Sequence, residues 1–218
     1  MKTAIISFIG TDGAGKSTVI TELKRRLEEE HHLNIKTVYF GWKPFLPTTK
    51  LLSFILKKRN YQIADKMNNK DNPKNKSKEH KFSLFQEIML TYYYIEYLSR
   101  YFFQLKLPSL FKNQKIILAD RYFYDMYTHY RYAEESFIFP TLLKIMPRPD
   151  VTFLLEVDIQ TAKQRKPEMD LDLLLEHYQR YQQLSKIIGA RIVKTDQRLE
   201  LSVNEILGIM KEKGMARP

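Results

Sequence analysis

Gly10, Gly15, Lys16 and Ser17 stand at the spacing G-x-x-x-x-G-K-[ST], in Gly10-Thr11-Asp12-Gly13-Ala14-Gly15-Lys16-Ser17. Residues of these types at this spacing do the chemistry of a polyphosphate. Gly13 and Gly15 let the main chain bend until consecutive N–H groups face one hollow, and no Cβ then blocks a phosphate. A helix beginning near Lys16 aims its positive end at the same hollow. Lys16 supplies an ammonium for the β- and γ-phosphates, and the Ser17 hydroxyl is a ligand for Mg²⁺. Chance gives such a pattern in roughly one chain in a hundred of this length. The flanking sequence argues against chance, with an apolar run before the pattern and an amphipathic one after it.

A second constellation is Asp120-Arg121, at the end of the apolar run from Ile116 to Ala119. Ligands of open α/β sheets bind at the carboxyl ends of strands. An Asp there can hold metal-bound water or accept a proton, and an Arg can grip a phosphate with two parallel hydrogen bonds. The competing reading is a surface ion pair, and the phosphate-binding pattern upstream favours function. Other groups are read more plainly. Tyr92, Tyr93, Tyr94, Tyr97 and Tyr101 have helical spacing, which favours core or interface over a stacking platform for a base. Of Tyr122, Tyr124, Tyr127, Tyr130 and Tyr132, one or two are candidates for a pocket wall. His31 and His32 suit a helix end rather than a metal. Glu28 to Glu30 read as a solvated face, and Asp158 as a helix cap.

The elements that must position these residues follow from periodicity. Ile5 to Ile9, Ile35 to Phe40, Ile116 to Ala119, Val151 to Val157 and the segment at Ile192-Val193 read as strands. Helical spacing runs over 16–32, 51–56, 82–107, 126–135, 139–146, 161–165, 171–188 and 203–211, with Pro108 and Gly189 as stops. Short, nearly all-apolar strands alternating with helices predict a parallel sheet covered on both faces. Residues 59–80 have little periodicity and read as a Lys- and Asn-rich mobile insertion. There is no internal repeat.

Composition bounds the function. The 218 residues are 44% hydrophobic and 28% charged, which suits one globular domain and excludes a wholly disordered chain. There is no cysteine, hence no disulfide, thiolate zinc site, iron–sulfur cluster or cysteine nucleophile. No apolar stretch approaches about 18 residues, so no membrane span is expected. The apolar run from Ala4 to Gly10 behind Lys2 is ended by Asp12 and reads as a buried strand, not a leader; the expected location is the cytoplasm. A net charge of +11 favours polyanionic partners. Much of that charge lies between Lys57 and Lys81 without aromatic interleaving. That segment reads as a solvated loop, with an acceptor-site lid second, and nucleic acid is not an expected partner.

Asp12-Gly13-Ala14-Gly15-Lys16-Ser17-Thr18, Asp120-Arg121-Tyr122, the Pro149-Asp150 that opens a strand, and the basic pair Arg165-Lys166 occur in an order and spacing that resembles thymidylate kinase and its relatives, the P-loop nucleoside monophosphate kinases. The resemblance implies a three-layer α/β P-loop kinase fold in one domain over residues 1–218. Its five parallel strands would lie in the order 2-3-1-4-5. It implies ATP and Mg²⁺ as cofactors and a small-molecule nucleotide acceptor, and it permits a homodimer through the long aromatic helix. ATP would lie on Gly10, Asp12, Gly13, Ala14, Gly15, Lys16, Ser17 and Thr18. Lys16, Asp120, Arg121 and the lid residue Arg165 would carry catalysis, with Ser17 and Asp120 at the metal. Asp12 would face the acceptor's sugar hydroxyl, and Arg121 its phosphate. Departures fall on the acceptor side. Ile9 stands where the family often has Glu, and Trp42-Lys43-Pro44 replaces Arg-Glu-Pro. Lys43 supplies a charge there but no planar fork. Tyr97 and Arg100 are the nearest candidates for reading the base, with Tyr122 alongside. The resulting expectation is phosphoryl transfer from ATP to a nucleoside monophosphate, dTMP first. Another nucleotide or small metabolite comes second, and a nucleotide-binding protein without efficient transfer third.

Overall fold

The computed structural model describes residues 3–41, 45–47, 84–108, 116–129 and 136–215. Five strands, β1 (Ala4–Ile9), β2 (Ile35–Tyr39), β3 (Ile116–Asp120), β4 (Val151–Glu156) and β5 (Arg191–Lys194), form one sheet in the order β2-β3-β1-β4-β5. Every pairing is parallel, so all five carboxyl ends share one edge. The strands are apolar on both faces because both are covered. On β1, Ile6 and Phe8 face one core, and Ile9 faces the other. On β3 the split is Ile116 and Leu118 against Ile117 and Ala119, the period of two that a pleated strand dictates.

Helix α1 (Lys16–Glu29) and the last helix, α7 (Leu199–Glu212), cover the first face with Val19, Leu23, Leu27, Val203 and Ile206. The opposite face is covered by α2 (Leu84–Arg100), which runs on as a π-helical stretch Tyr101–Lys106, and by α3 (Asp125–His129), α4 (Phe139–Ile145) and α6 (Leu171–Ile188). Between β4 and α6 lies the short α5 (Ile159–Arg165), capped by Asp158, whose carboxylate accepts from Thr161 N at 3.1 Å. Helix α1 stops short of the expected His32, because His32 takes a left-handed φ of 49°. The π-helical stretch had no warning in Gly or Pro. The segment 51–56, the insertion 59–80 and residues 130–135 lie outside the described residues, as does Lys43. Among the described residues, no helix is long and apolar enough to cross a membrane.

Candidate active site

The turn joining β1 to α1 is forced by its neighbours. Gly10 sits at φ 146°, and a Cβ there would stand 2.5 Å from the Leu155 carbonyl oxygen of β4. Gly13 sits at φ 85°, with the Ala162 carbonyl oxygen of α5 only 2.7 Å from where a Cβ would be. Both positions therefore require glycine on two counts, handedness and space. Gly15 caps α1 in the left-handed conformation with no side-chain hydrogen bond, and the first turn carries no acidic residue. The leading N–H groups of α1 are thus left for an anion from outside. Thr195, just past β5, braces the turn from behind by donating to the Ala14 carbonyl at 2.9 Å.

Lys16 is buried and folds back on its own loop, donating to the carbonyls of Gly10 (2.8 Å) and Thr11 (2.7 Å) with Asp12 at 3.8 Å. Burial lowers its pKa to about 8, with Arg121 adding to the shift and Asp12, Asp125 and Asp120 opposing it. Ser17 and Thr18 are exposed. The Ser17 hydroxyl donates to Asp120 Oδ2 at 3.4 Å. Asp120 Oδ1 is buried with no hydrogen-bond partner, and burial raises the carboxyl's pKa against the pull of Lys16 and Arg121. An orphaned carboxylate oxygen beside an exposed hydroxyl fits a hard cation with oxygen ligands. Among the described residues, no cluster of three or more His, Cys, Asp or Glu could hold a metal ion. Arg165, at the end of α5, reaches over the turn, with Nη1 3.1 Å from the Gly13 carbonyl.

Arg121 follows β3 directly, on the other side of Asp120 from Ser17. Its φ is 68°, an unusual conformation for a residue with a Cβ, held in part by its N–H donating to Phe8 O at 2.9 Å. Nη2 is paired with Asp12, and Nη1 donates to Asp125 at 2.8 Å and to the Tyr181 hydroxyl at 3.3 Å. Burial works against its charge, but Asp125, Tyr181 and Asp12 outweigh it, and the guanidinium is held charged more firmly than usual.

Lys16, Ser17, Asp12, Asp120, Arg121 and Arg165 thus gather at one edge of the sheet. Tyr97, Arg100 and Tyr122 lie deeper. Tyr122 is 0% exposed, with its ring stacked on Phe40 at 5.1 Å, so no face of it is open to a ligand in this arrangement. The left-handed turn at Arg121 sends the next side chain into the core. Arg100 is buried over the rings of Phe40 and Tyr97, and donates to the carbonyls of Tyr39 and Gly41. It fixes the main chain at the end of β2 directly. Sequence reasoning missed Tyr39, Asp125, Tyr181 and Thr195. Tyr39 pairs in register with Asp120, and its ring closes with Arg121 Cδ on the space beside Gly41. Asp125 had one signal, its place four residues after Arg121; the others had none.

A search of curated proteins found no match. Among solved structures, the chain is similar to a thymidylate kinase from Ehrlichia chaffeensis, at 16% identity and a TM-score of 0.58, covering 96% of this chain and 100% of that one. At that identity the likeness establishes the fold. The family described as thymidylate kinase matches residues 8–206, from within β1 to within α7. The chain therefore belongs to the thymidylate kinase family, and its reaction is the ATP-dependent phosphorylation of dTMP.

Proposed function

We propose that the edge formed by the β1–α1 turn and the ends of β2 and β3 carries out transfer of the γ-phosphoryl group of ATP to dTMP, with the two nucleotides approaching from the Arg165 and Arg121 sides. The observation that carries this reading is the convergence of the uncapped α1 N-terminus, Lys16, the Ser17–Asp120 pair and Arg121 at one edge. The amides of Gly13, Gly15, Lys16 and Ser17 hold the triphosphate. Lys16 leaves the Gly10 and Thr11 carbonyls for its β- and γ-oxygens. Arg121 orients the acceptor phosphate, and Arg165 lies where charge develops on the transferring group. The acceptor phosphate oxygen is already a nucleophile, so positioning and charge neutralisation suffice without a strong base. Ser17 and Asp120 would hold Mg²⁺, which supplies further neutralisation of the phosphate oxygens when bound. We infer a cytoplasmic location, where ATP and nucleoside monophosphates are at hand. The test is ADP release from Mg²⁺-ATP across the common nucleoside monophosphates. dTMP should give the highest kcat/KM; a higher value for another monophosphate would reassign the acceptor, and no stimulation by any would end the kinase reading.

A homodimer is the assembly we infer for the α2 face. Ile88, Ile95 and Phe102 are exposed at seven-residue spacing, and Phe103 and Leu107 extend the stripe beside them. Such spacing suits one helix lying along its copy. Light scattering at micromolar concentration should give about twice the mass of the chain, and Ile95→Glu should return it to the monomer. A monomeric wild type would refute the assignment.

A further inference from the structure

Arg121 is gripped by two carboxylates of opposite character. Asp12, on Nη2, has a side chain 41% exposed. Asp125, on Nη1, has a side chain only 4% exposed. Behind Asp125 stands Tyr181, from the middle of α6, itself 2% exposed. The Tyr181 hydroxyl donates to Asp125 Oδ1 at 2.9 Å and lies 3.3 Å from Arg121 Nη1. The three side chains close a triangle. Arg121 gives Nη1 to both partners, and the hydroxyl proton ties the partners together. A guanidinium is planar, so fixing Nη1 on two buried groups fixes the directions in which Nη2 and Nε can donate.

We infer that Asp125 and Tyr181 are positioning residues for the acceptor phosphate: they hold Arg121 from inside the core, and so make the Asp12 side of the guanidinium the side that exchanges partners. The inference rests on the proposed role of Arg121 at the acceptor and deepens it. An exposed ion pair is screened by water and is worth little. A buried one that loses a partner leaves an unpaired charge in the core. An arriving phosphate dianion therefore displaces Asp12 and leaves Asp125 in place. The triangle also sustains the left-handed backbone at Arg121. It adds an inner side-chain anchor to the N–H bond to Phe8 O that helps hold that φ of 68°.

The experiment is a double-mutant cycle on the full chain, read by calorimetric titration with dTMP and, separately, with ATP. Asp125→Asn is the stronger lesion and the one at risk of not folding. Tyr181→Phe removes one oxygen and keeps the ring, so it carries the test, with circular dichroism as the folding check. Tyr181→Phe should weaken dTMP by about five- to tenfold, the size of a hydrogen bond to a charged network, and leave ATP within about twofold. In an Arg121→Ala background the same change should add less than about twofold, because the residue it positions is gone. An equal loss in both backgrounds, or no loss in the first, overturns the inference. A wild type that binds dTMP without releasing ADP refutes the proposed reaction and leaves the cycle readable; a wild type that does not bind dTMP refutes both.

Discussion

On the proposed donor side, between β1 and α1, the surface is largely main chain: the free amides at the start of α1 and a turn whose shape depends on Gly10 and Gly13 having no Cβ. On the proposed acceptor side, at the ends of β2 and β3, the surface is made of side chains that meet from distant parts of the sequence. Asp12 reaches Arg121 across 109 positions, and Tyr181 reaches it across 60. A main-chain surface tolerates almost no substitution where it is tight, because the backbone has nowhere to go. A side-chain surface fails by degrees, one hydrogen bond at a time.

The largest effect expected from that difference is at Gly13. Gly13→Ala adds one methyl group 2.7 Å from the Ala162 carbonyl oxygen, at a φ of 85°. Left-handed strain on a residue with a Cβ costs about 1–3 kcal/mol, and the clash must move either the turn or α5. The expected result is a loss of roughly a hundredfold or more in kcat/KM for ATP. The change in dTMP binding should be far smaller. Steady-state kinetics with each nucleotide varied in turn separates the two. A Gly13→Ala enzyme with normal ATP kinetics would break the comparison, since the turn would then not depend on the absent Cβ.

The same difference explains what could be read in advance. The donor side was legible from residue types because its physics is local: eight consecutive residues set the turn, and the flanking strand and helix have their own periodicities. The sheet was legible because strands covered on both faces must be nearly all apolar, and the order of strands came with the family resemblance. The acceptor side was legible only at Asp120-Arg121. Tyr122 reads in sequence as a neighbour of Arg121 and hence a pocket wall, yet a single left-handed residue turns it into the core. Arg100 reads in sequence as a candidate for the acceptor base, yet its donors go to the carbonyls of Tyr39 and Gly41, which only the packing of α2 under β2 brings near. Tyr181 has helical spacing and no motif, so its place behind Arg121 follows from tertiary packing alone.

A smaller effect sharpens the comparison by separating the cations of the two sides. Lys16, buried and beside the charge of Arg121, has its pKa lowered to about 8. Arg121 stays charged, because Asp125, Tyr181 and Asp12 outweigh its burial. In the proposed reading ATP binds the protonated lysine. Lys16 is mostly charged at pH 7, half charged near pH 8 and mostly neutral at pH 9, so affinity must fall as pH rises. The apparent Kd for ATP scales as one plus the ratio of neutral to charged lysine, which makes binding about tenfold weaker at pH 9 than at pH 7. The phosphate of dTMP loses its second proton with a pKa near 6, so it is already about nine-tenths dianion at pH 7, and its cation does not titrate in this range. Its Kd should therefore stay within about twofold over the same interval. Calorimetric titration of each nucleotide alone at pH 7, 8 and 9 reads both curves on one protein. Parallel losses would mean that Lys16 serves the acceptor too. A flat ATP curve would mean that Lys16 titrates alike in the free protein and in the ATP complex, and hence that its charge is not what holds the triphosphate.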